Sequence, residues 1–278
     1  MKTPPIPRKG DYRGRLRPIA GRHNPLVKEL RRAFAEACLS PEGYCALEGV
    51  RILEEAIRSG LKFRAIFFRD SSRNRAERWL PQMAAHVETV LLSDKLFASA
   101  VPSENPQGVA ALVRCPRFTL AEVLEKAAAG PLVAIAGVQD PGNLGTILRS
   151  AEAFGARGVL LGEGTVSPFN SKALRASAGS AFRLTMAQVN LGDAIGSLRS
   201  LGLRLLATSS HNGTPLGELD LVSPAAIFIG SEGAGIAGDL LAQMDETIAI
   251  PHAPSVESLN AGVAASIVLY EAARQRRG

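Results

Sequence analysis

From residue 132 onward, short apolar runs without polar alternation recur between stretches of helical spacing. LVAIAGV (132–138), RGVLLG (157–162), RLTMA (183–187), RLLATS (204–209), AAIFIG (225–230) and TIAI (247–250) predict strands, with helices between most of them. Strands that are apolar on both faces and separated by helices imply a mainly parallel sheet covered on both sides, an α/β domain over residues 131–278. The upstream pattern is different. In NPLVKELRRAFAEACL, Leu26, Leu30 and Phe34, with Ala33 and Ala37, mark one helical face, and Lys28, Arg31 and Arg32 lie mostly off it. EGVRILEEAIRSG predicts a second helix stopped by Gly60. FRAIFFRD, VETVLL and GVAALVRC predict strands, and RAERWLPQM and SDKLFASAV predict helices, which together make a small α/β sandwich over residues 22–115. PRFTLAEVLEKAAAGP reads as a linker (116–130) containing one helix. Residues 1–21, rich in Pro, Gly and Arg and without apolar periodicity, read as a flexible basic arm.

Composition adds a partner class. The chain of 278 residues is 46% hydrophobic and 21% charged, ordinary for a globular protein long enough for two cores. No apolar run approaches the roughly 18 residues of a membrane helix, and MKTPPIPRKGDYRGRLR has no hydrophobic segment of the secretory kind. A cytoplasmic protein is expected. Cys38, Cys45 and Cys115 form no CxxC and have no paired histidines, so reduced thiols and no metal site are expected. The net charge of +6 is unevenly spread: residues 1–128 carry 22 Lys and Arg against 14 Asp and Glu, and residues 129–278 carry 10 against 12. A basic first half suits a polyanion, although a solvated basic surface would read the same way.

Three predicted strand ends hold unusual residues, at the edge of a parallel sheet where ligands collect. QDPGNLGTILRSAEAFG (139–155) is a glycine-marked turn entering a helix, yet it lacks both the GxGxxG and the GxxxxGK[ST] spacing. It is either a tight turn capped by Asn143 or a loop shaped around a ligand. Arg149 is expected to emerge near it, where a guanidinium can hold a phosphate by two parallel hydrogen bonds. In IFIGSEGAGI, Gly230, Gly233 and Gly235 allow close backbone approach to a flat ligand, and Glu232 adds a carboxylate. In TIAIPHAPSVESLNAGVAASIVLYEAARQ, Pro251 ends a strand and a polar loop leads through Ser258, Leu259 and Asn260. A long helix with Val263, Ile267 and Tyr270 on one side follows. Ser258 is a plausible N-cap there, which leaves Asn260 for another task.

Taken together and in this order, NLGTILR, IFIGSEGAGI and IAIPHAPSVESLNAGVAASIVLYEA resemble the SpoU (TrmH-like) family of RNA ribose 2'-O-methyltransferases, within the SPOUT superfamily. SPFNSKALRASAGSAFRL, with Lys172, Arg175, Ser177 and Gly179, is similar to the family's segment after the second strand. LEGVRILEEAI and NPQGVAALV look like its substrate-binding α/β/α sandwich. The resemblance implies a C-terminal α/β domain with a deep trefoil knot, a homodimer with sites at the subunit interface, and S-adenosylmethionine held by Gly230, Ile250 and Leu259, with Thr208 a further contact. It assigns catalytic duties to Asn143, Arg149, Glu232, Ser258 and Asn260, with no metal, and leaves two roles for Arg149, anchor of the neighbouring phosphate or transient general base. RNA contacts are expected from Lys28, Arg31, Arg32, Lys172 and Arg175, and ribosomal (23S) RNA suits the accessory domain and basic arm best. A transfer RNA enzyme and a non-catalytic RNA-binding or ribosome-assembly protein are the alternatives. A Rossmann enzyme would place an acid where Glu163 sits, 18 residues beyond Gly145, but would need the missing glycine fingerprint.

Overall fold

The computed structural model describes residues 15–80, 83–84, 86–103, 106–127, 130–210 and 212–277. The chain divides into two compact units, Met1–Pro116 and Arg117–Gly278.

In the first unit the strands are β1 (Leu16–Ile19), β2 (Tyr44–Glu48), β3 (Lys62–Arg69), β4 (Glu88–Leu92) and β5 (Val109–Arg114). The helices are α1 (Pro25–Glu36), α2 (Val50–Arg58), α3 (Arg73–Trp79) and α4 (Asp94–Ala100). The sheet order is β1-β4-β3-β5-β2, with β1 and β3 parallel to β4 and with β5 antiparallel to both β3 and β2. Side chains alternate across it. Ala46, Ala65, Phe67, Val90, Leu92, Ala110 and Leu112 form one core with Val27, Leu30 and Ala33 of α1 and Leu96 and Phe97 of α4. Cys45, Leu47, Ile66, Phe68, Ala111 and Val113, at the alternate positions, are also buried. α1 begins as its sequence suggests, with Asn24 Oδ1 accepting from the Leu26 N–H at 3.0 Å and Pro25 at the first position, where a missing N–H does no harm.

Two expectations change here. The basic arm over residues 1–21 ends sooner: Leu16–Ile19 is an edge strand paired with β4. The Arg15 guanidinium beside it donates to the Leu80, Met83 and Ala84 carbonyls. Four residues containing Pro18 are too short and too interrupted to show a period, and an edge position is where a strand tolerates proline. Residues 1–14 of that arm lie outside the described residues. β2 was also not anticipated, because YCALE carries no polar alternation and merges into the following helix.

The second unit holds strands β6 (Leu132–Ala136), β7 (Gly158–Leu161), β8 (Met186–Gln188), β9 (Arg204–Ser209), β10 (Thr214–Pro215), β11 (Ala225–Gly230) and β12 (Glu246–Ala249). Its helices are α5 (Leu120–Ala127), α6 (Pro141–Ala153), α7 (Ser171–Ser177), α8 (Ser180–Arg183), α9 (Leu191–Ser200), α10 (Gly238–Leu241) and α11 (Ala261–Arg276). Every pairing in the seven-stranded sheet, β10-β12-β9-β11-β6-β7-β8, is parallel. One face packs Leu132, Ala134, Leu160, Ala207 and Phe228 against α5 and α9. The other residues of these strands, such as Val133, Ile135, Ile227 and Ile229, are equally buried, on the side of the sheet where α11 contacts β11. The segment expected as a linker belongs to this unit from Arg117, since Val123 of α5 is fully buried and in contact range of Gly158. The strand expected at 183–187 starts later, at Met186, because Gly179, in the left-handed region, opens the short helix that Arg183 closes.

This sheet order sets the site. The chain runs from β6 outward to β7 and β8, and β11, β9 and β12 then fill the opposite side. The order reverses between β6 and β11, so the loops after these strands diverge and leave a crevice. α6, which leaves β6, is held by close packing on α7. A Cβ on Gly145 would lie 2.5 Å from the Ala176 Cβ and 2.6 Å from the Ala173 carbonyl oxygen. We predict that Gly145→Ala destabilises the protein by about 1–3 kcal/mol through overpacking. Gly196→Ala, in α9 with nothing within 4 Å of the new methyl, should stabilise it by about 0.5–1 kcal/mol. Thermal denaturation of the two variants, read for opposite shifts in Tm, checks both signs.

Candidate active site

The three loops singled out in the sequence meet at the carboxyl ends of β6, β11 and β12. Asp140 caps α6, its Oδ1 accepting from the Asn143 N–H at 2.9 Å, so Asn143 lies within the first helical turn and its side chain is free for other bonds. The alternative of Asn143 as the cap is therefore excluded. After β11 the chain folds back on itself, with Ser231 and Gly235 exchanging backbone hydrogen bonds of 3.1 and 3.0 Å. A Cβ on Gly230 would sit 2.5 Å from the Gly235 carbonyl carbon, and Gly235 has φ +65°. These two glycines are required by the loop's own backbone, whereas Gly233 faces open space. Glu232 is held at the loop tip.

α11 starts at Asn260. Its Oδ1 accepts from the Gly262 and Val263 N–H groups at 3.0 and 3.2 Å, so the cap expected from Ser258 is supplied by Asn260. The Asn260 amide donates from Nδ2 to Asn143 Oδ1 at 2.9 Å and to Glu232 Oε1 at 2.6 Å, and Asn143 Nδ2 donates to the same Glu232 oxygen. One carboxylate oxygen thus joins three loops. Ser258 is exposed and has no hydrogen-bond partner among the described residues.

Beside this network lies a cleft of about 210 Å³. Thr208, Gly230, Ile250 and Leu259 line it, and Glu232, His252 and Ser258 border it too. Its walls combine apolar Ile229, Ile250, Leu259, Ala261 and Ala264 with the hydroxyls of Ser209, Ser210, Ser231 and Ser258. Apolar walls with a few polar groups suit a nucleoside. The Thr208 hydroxyl proton is committed to the Phe228 carbonyl at 3.2 Å, which leaves that side chain as an acceptor toward the cleft.

Arg149 does not join this network. The helix begins at Pro141, so Arg149 stands two turns along it and not at the turn, a rise of roughly 9 Å beyond Asn143. It is exposed and makes no hydrogen bond or ion pair among the described residues. Of the basic residues expected to meet RNA, Lys172 is engaged by Asp140 at 2.7 Å. That contact, together with the Asn143 N–H, holds the Asp140 carboxyl below its usual range. Arg175 is exposed with no partner among the described residues. In the first unit, Arg31 donates to the Ser99 carbonyl at 3.3 Å, Arg32 pairs with Glu36 at 3.4 Å, and Lys28 is exposed and unpaired among the described residues. Asp140 and His252 were not singled out from the sequence. Asp before Pro at a helix start was a readable capping signal, whereas nothing in the sequence points to His252. Among the described residues no group of three His, Cys, Asp or Glu could hold a metal ion, and no helix is long and apolar enough to cross a membrane.

Residues 131–270 match the SpoU rRNA Methylase family, and residues 24–111 match the MRM3-like substrate binding domain. The chain belongs to the SpoU family. An uncharacterized tRNA/rRNA methyltransferase of Synechocystis sp. is 35% identical over 93% of this chain and 94% of its own length. The 23S rRNA (guanosine(2553)-2'-O)-methyltransferase RlmP of Bacillus subtilis is 31% identical over 92% of this chain and 98% of its own. Among solved structures, the AdoMet-bound rRNA methyltransferase from Sinorhizobium meliloti superposes with a TM-score of 0.78 at 28% identity, covering 94% of this chain and 98% of that one.

The shared carboxylate yields a signed prediction. Asn260→Ala removes the cap and costs about 1 kcal/mol. Asn260→Asp keeps a capping oxygen but sets a second carboxylate against Glu232. Two carboxylates at one site resist joint ionisation, so this variant should regain stability between pH 7.5 and pH 5, as one of them takes up a proton, while Asn260→Ala should not. Urea denaturation at the two pH values measures the difference.

Proposed function

We propose that this protein transfers a methyl group from S-adenosylmethionine to a ribose 2'-hydroxyl of 23S ribosomal RNA. The observation that carries this reading is the Asn143–Glu232–Asn260 network standing against a cleft lined by Thr208, Gly230, Ile250 and Leu259. Further support comes from a relative matched over nearly its whole length, whose name specifies a 2'-O-methyltransferase of 23S rRNA. The cleft's apolar walls would take the adenine, and its hydroxyls and loop backbone the polar edges. Bound there, S-adenosylmethionine supplies an electrophilic methyl group on a positively charged sulfur.

The chain's own residues have to position a poor nucleophile. A ribose hydroxyl reacts when it is aligned and its proton is made easier to lose. Arg149 binds the adjacent phosphate and lowers the pKa of the hydroxyl. Its guanidinium acts as a fixed fork of hydrogen-bond donors, and the hydroxyl proton leaves to water. Asn260 is a positioning residue: its oxygen is used in capping α11 and its amide in holding Asn143 and Glu232. Ser258, whose hydroxyl is unengaged, borders the cleft beside Glu232 and is placed to meet the ribose or the cofactor.

Arg149 is not among the residues that line its own cleft, which favours a homodimer in which it serves the partner's site. The face beside it supports this: Val263 and Tyr270 are 46% and 55% exposed, and the Tyr270 ring packs edge-on against Phe154 at 5.7 Å. The reading also includes the trefoil knot. β12 lies beyond β9, whereas α11 packs on α6 and β11, so residues 250–260 must return across the sheet end. Lys28 and Arg175 are the best-placed RNA contacts, because Arg31, Arg32 and Lys172 are already engaged within the chain.

Arg149→Lys keeps a charge but loses the planar fork. It should retain most RNA binding and lose at least about 100-fold in single-turnover methylation; wild-type rates would sink the role given to the arginine. Mixing Arg149→Ala with a Gly230→Val variant should restore methylation through hybrid dimers, with no restoration if Arg149 acts within its own chain. Mapping 2'-O-methyl groups in ribosomal and transfer RNA of a deletion strain tests the substrate, and the expected result is loss at one 23S position.

A further inference from the structure

We infer that His252 is a cofactor-contact residue that presents its Nε2 as a hydrogen-bond acceptor to an N–H or O–H donor of the S-adenosyl group. The inference rests on the reading that the cleft holds that group. His252 stands three residues past the end of β12, half-buried, and its ring lines the cleft together with Ile250 and Leu259. Its Nδ1 lies 2.7 Å from the Ile250 carbonyl oxygen. A carbonyl oxygen only accepts, so Nδ1 carries the proton, and a neutral imidazole then has a bare Nε2 that can only accept.

The loop's own backbone thereby selects the tautomer and orients the ring. S-adenosyl compounds bring several donors into such a cleft: the adenine amine, the ribose hydroxyls and the α-ammonium group. Thr208 and the second Glu232 oxygen are further acceptors, and His252 adds a ring nitrogen on the Ile250 side of the cleft. One Glu232 oxygen is taken up by two amides, and the serine hydroxyls bring protons of their own. A neutral acceptor also suits a ligand whose sulfur is cationic, which an imidazolium would repel.

The competing role for His252 is a clip, in which the Nδ1–H only shapes the chain after the strand. Two amide substitutions separate the roles, because an asparagine amide falls near the Nδ1 position and a glutamine amide near the Nε2 position. Calorimetry of the full-length wild type, His252→Asn and His252→Gln with S-adenosylhomocysteine is the test. The expected result is that His252→Gln binds within about threefold of wild type and His252→Asn at least tenfold more weakly. The reverse order identifies a clip and overturns the inference. Every other pattern overturns it too, including equal affinity in all three proteins and equal loss in both variants. If the wild type itself does not bind S-adenosylhomocysteine, the underlying reading of the cleft fails instead, a separate and recognisable outcome.

Discussion

A single carboxylate oxygen, Oε1 of Glu232, ties together three loops that are far apart in the chain, accepting from the amides of Asn143 and Asn260. Each participant is anchored through its backbone. Asn143 sits in the first turn of a helix capped by Asp140, Glu232 sits on a loop closed by the Ser231–Gly235 hydrogen bonds, and Asn260 caps α11 with its remaining oxygen. The two asparagines are short and start from fixed backbone, so most of the rotamer entropy lost in this pairing is that of Glu232. The network is exposed to water, so its strength comes from this convergence of rigid segments and not from burial. It borders the cleft through Glu232 and shares Asn260 with the cap of α11.

That arrangement is possible because the strand order reverses between β6 and β11. Loops that leave neighbouring strands in opposite directions open a crevice, and the glycines let the walls approach it. Gly145 brings α6 onto α7, Gly262 brings α11 within contact of Thr146, and Gly230 lets the following loop lie over its own strand. Of the glycines that read as a ligand-approach signal, Gly230 and Gly235 serve the loop's own backbone first, and Gly233 does not. Gly145 and Gly230 shape the cleft by permitting backbone contacts that any side chain would block.

Charge is handled locally in the catalytic unit. Asp140 caps α6 and also holds Lys172, so a lysine that looks available for phosphate in the sequence is already neutralised in the fold. Arg149 and Arg175 remain exposed and unpaired among the described residues, on α6 and on α7, which packs against it. In the substrate-binding unit the same sorting sets Lys28 apart from Arg31 and Arg32. A basic residue is available to RNA only if its own helix and neighbours leave it unengaged, and composition cannot report that.

The sequence by itself determined much of this protein. The apolar runs placed β9 and β11 to the residue and most other strands of the second unit to within two, because a strand buried on both faces must be continuously apolar. The order of three loop motifs identified the family and named four residues that line one cleft. β1 escaped because Arg17 and Pro18 interrupt it and β2 because YCALE runs straight into the next helix, and α5 read as a linker because its burial depends on the sheet it covers. Capping stayed open at Asn143 and fell to Ser258 in place of Asn260: all three are competent caps, and only the backbone path decides which N–H groups each can reach. The tertiary structure alone decided that Glu232 would be shared, that Lys172 would be spent on Asp140, that Arg149 would stand apart and that His252 would face the cleft. The first two are contacts between segments far apart in the chain, and all four follow from sheet order and helix packing, which no local pattern reports.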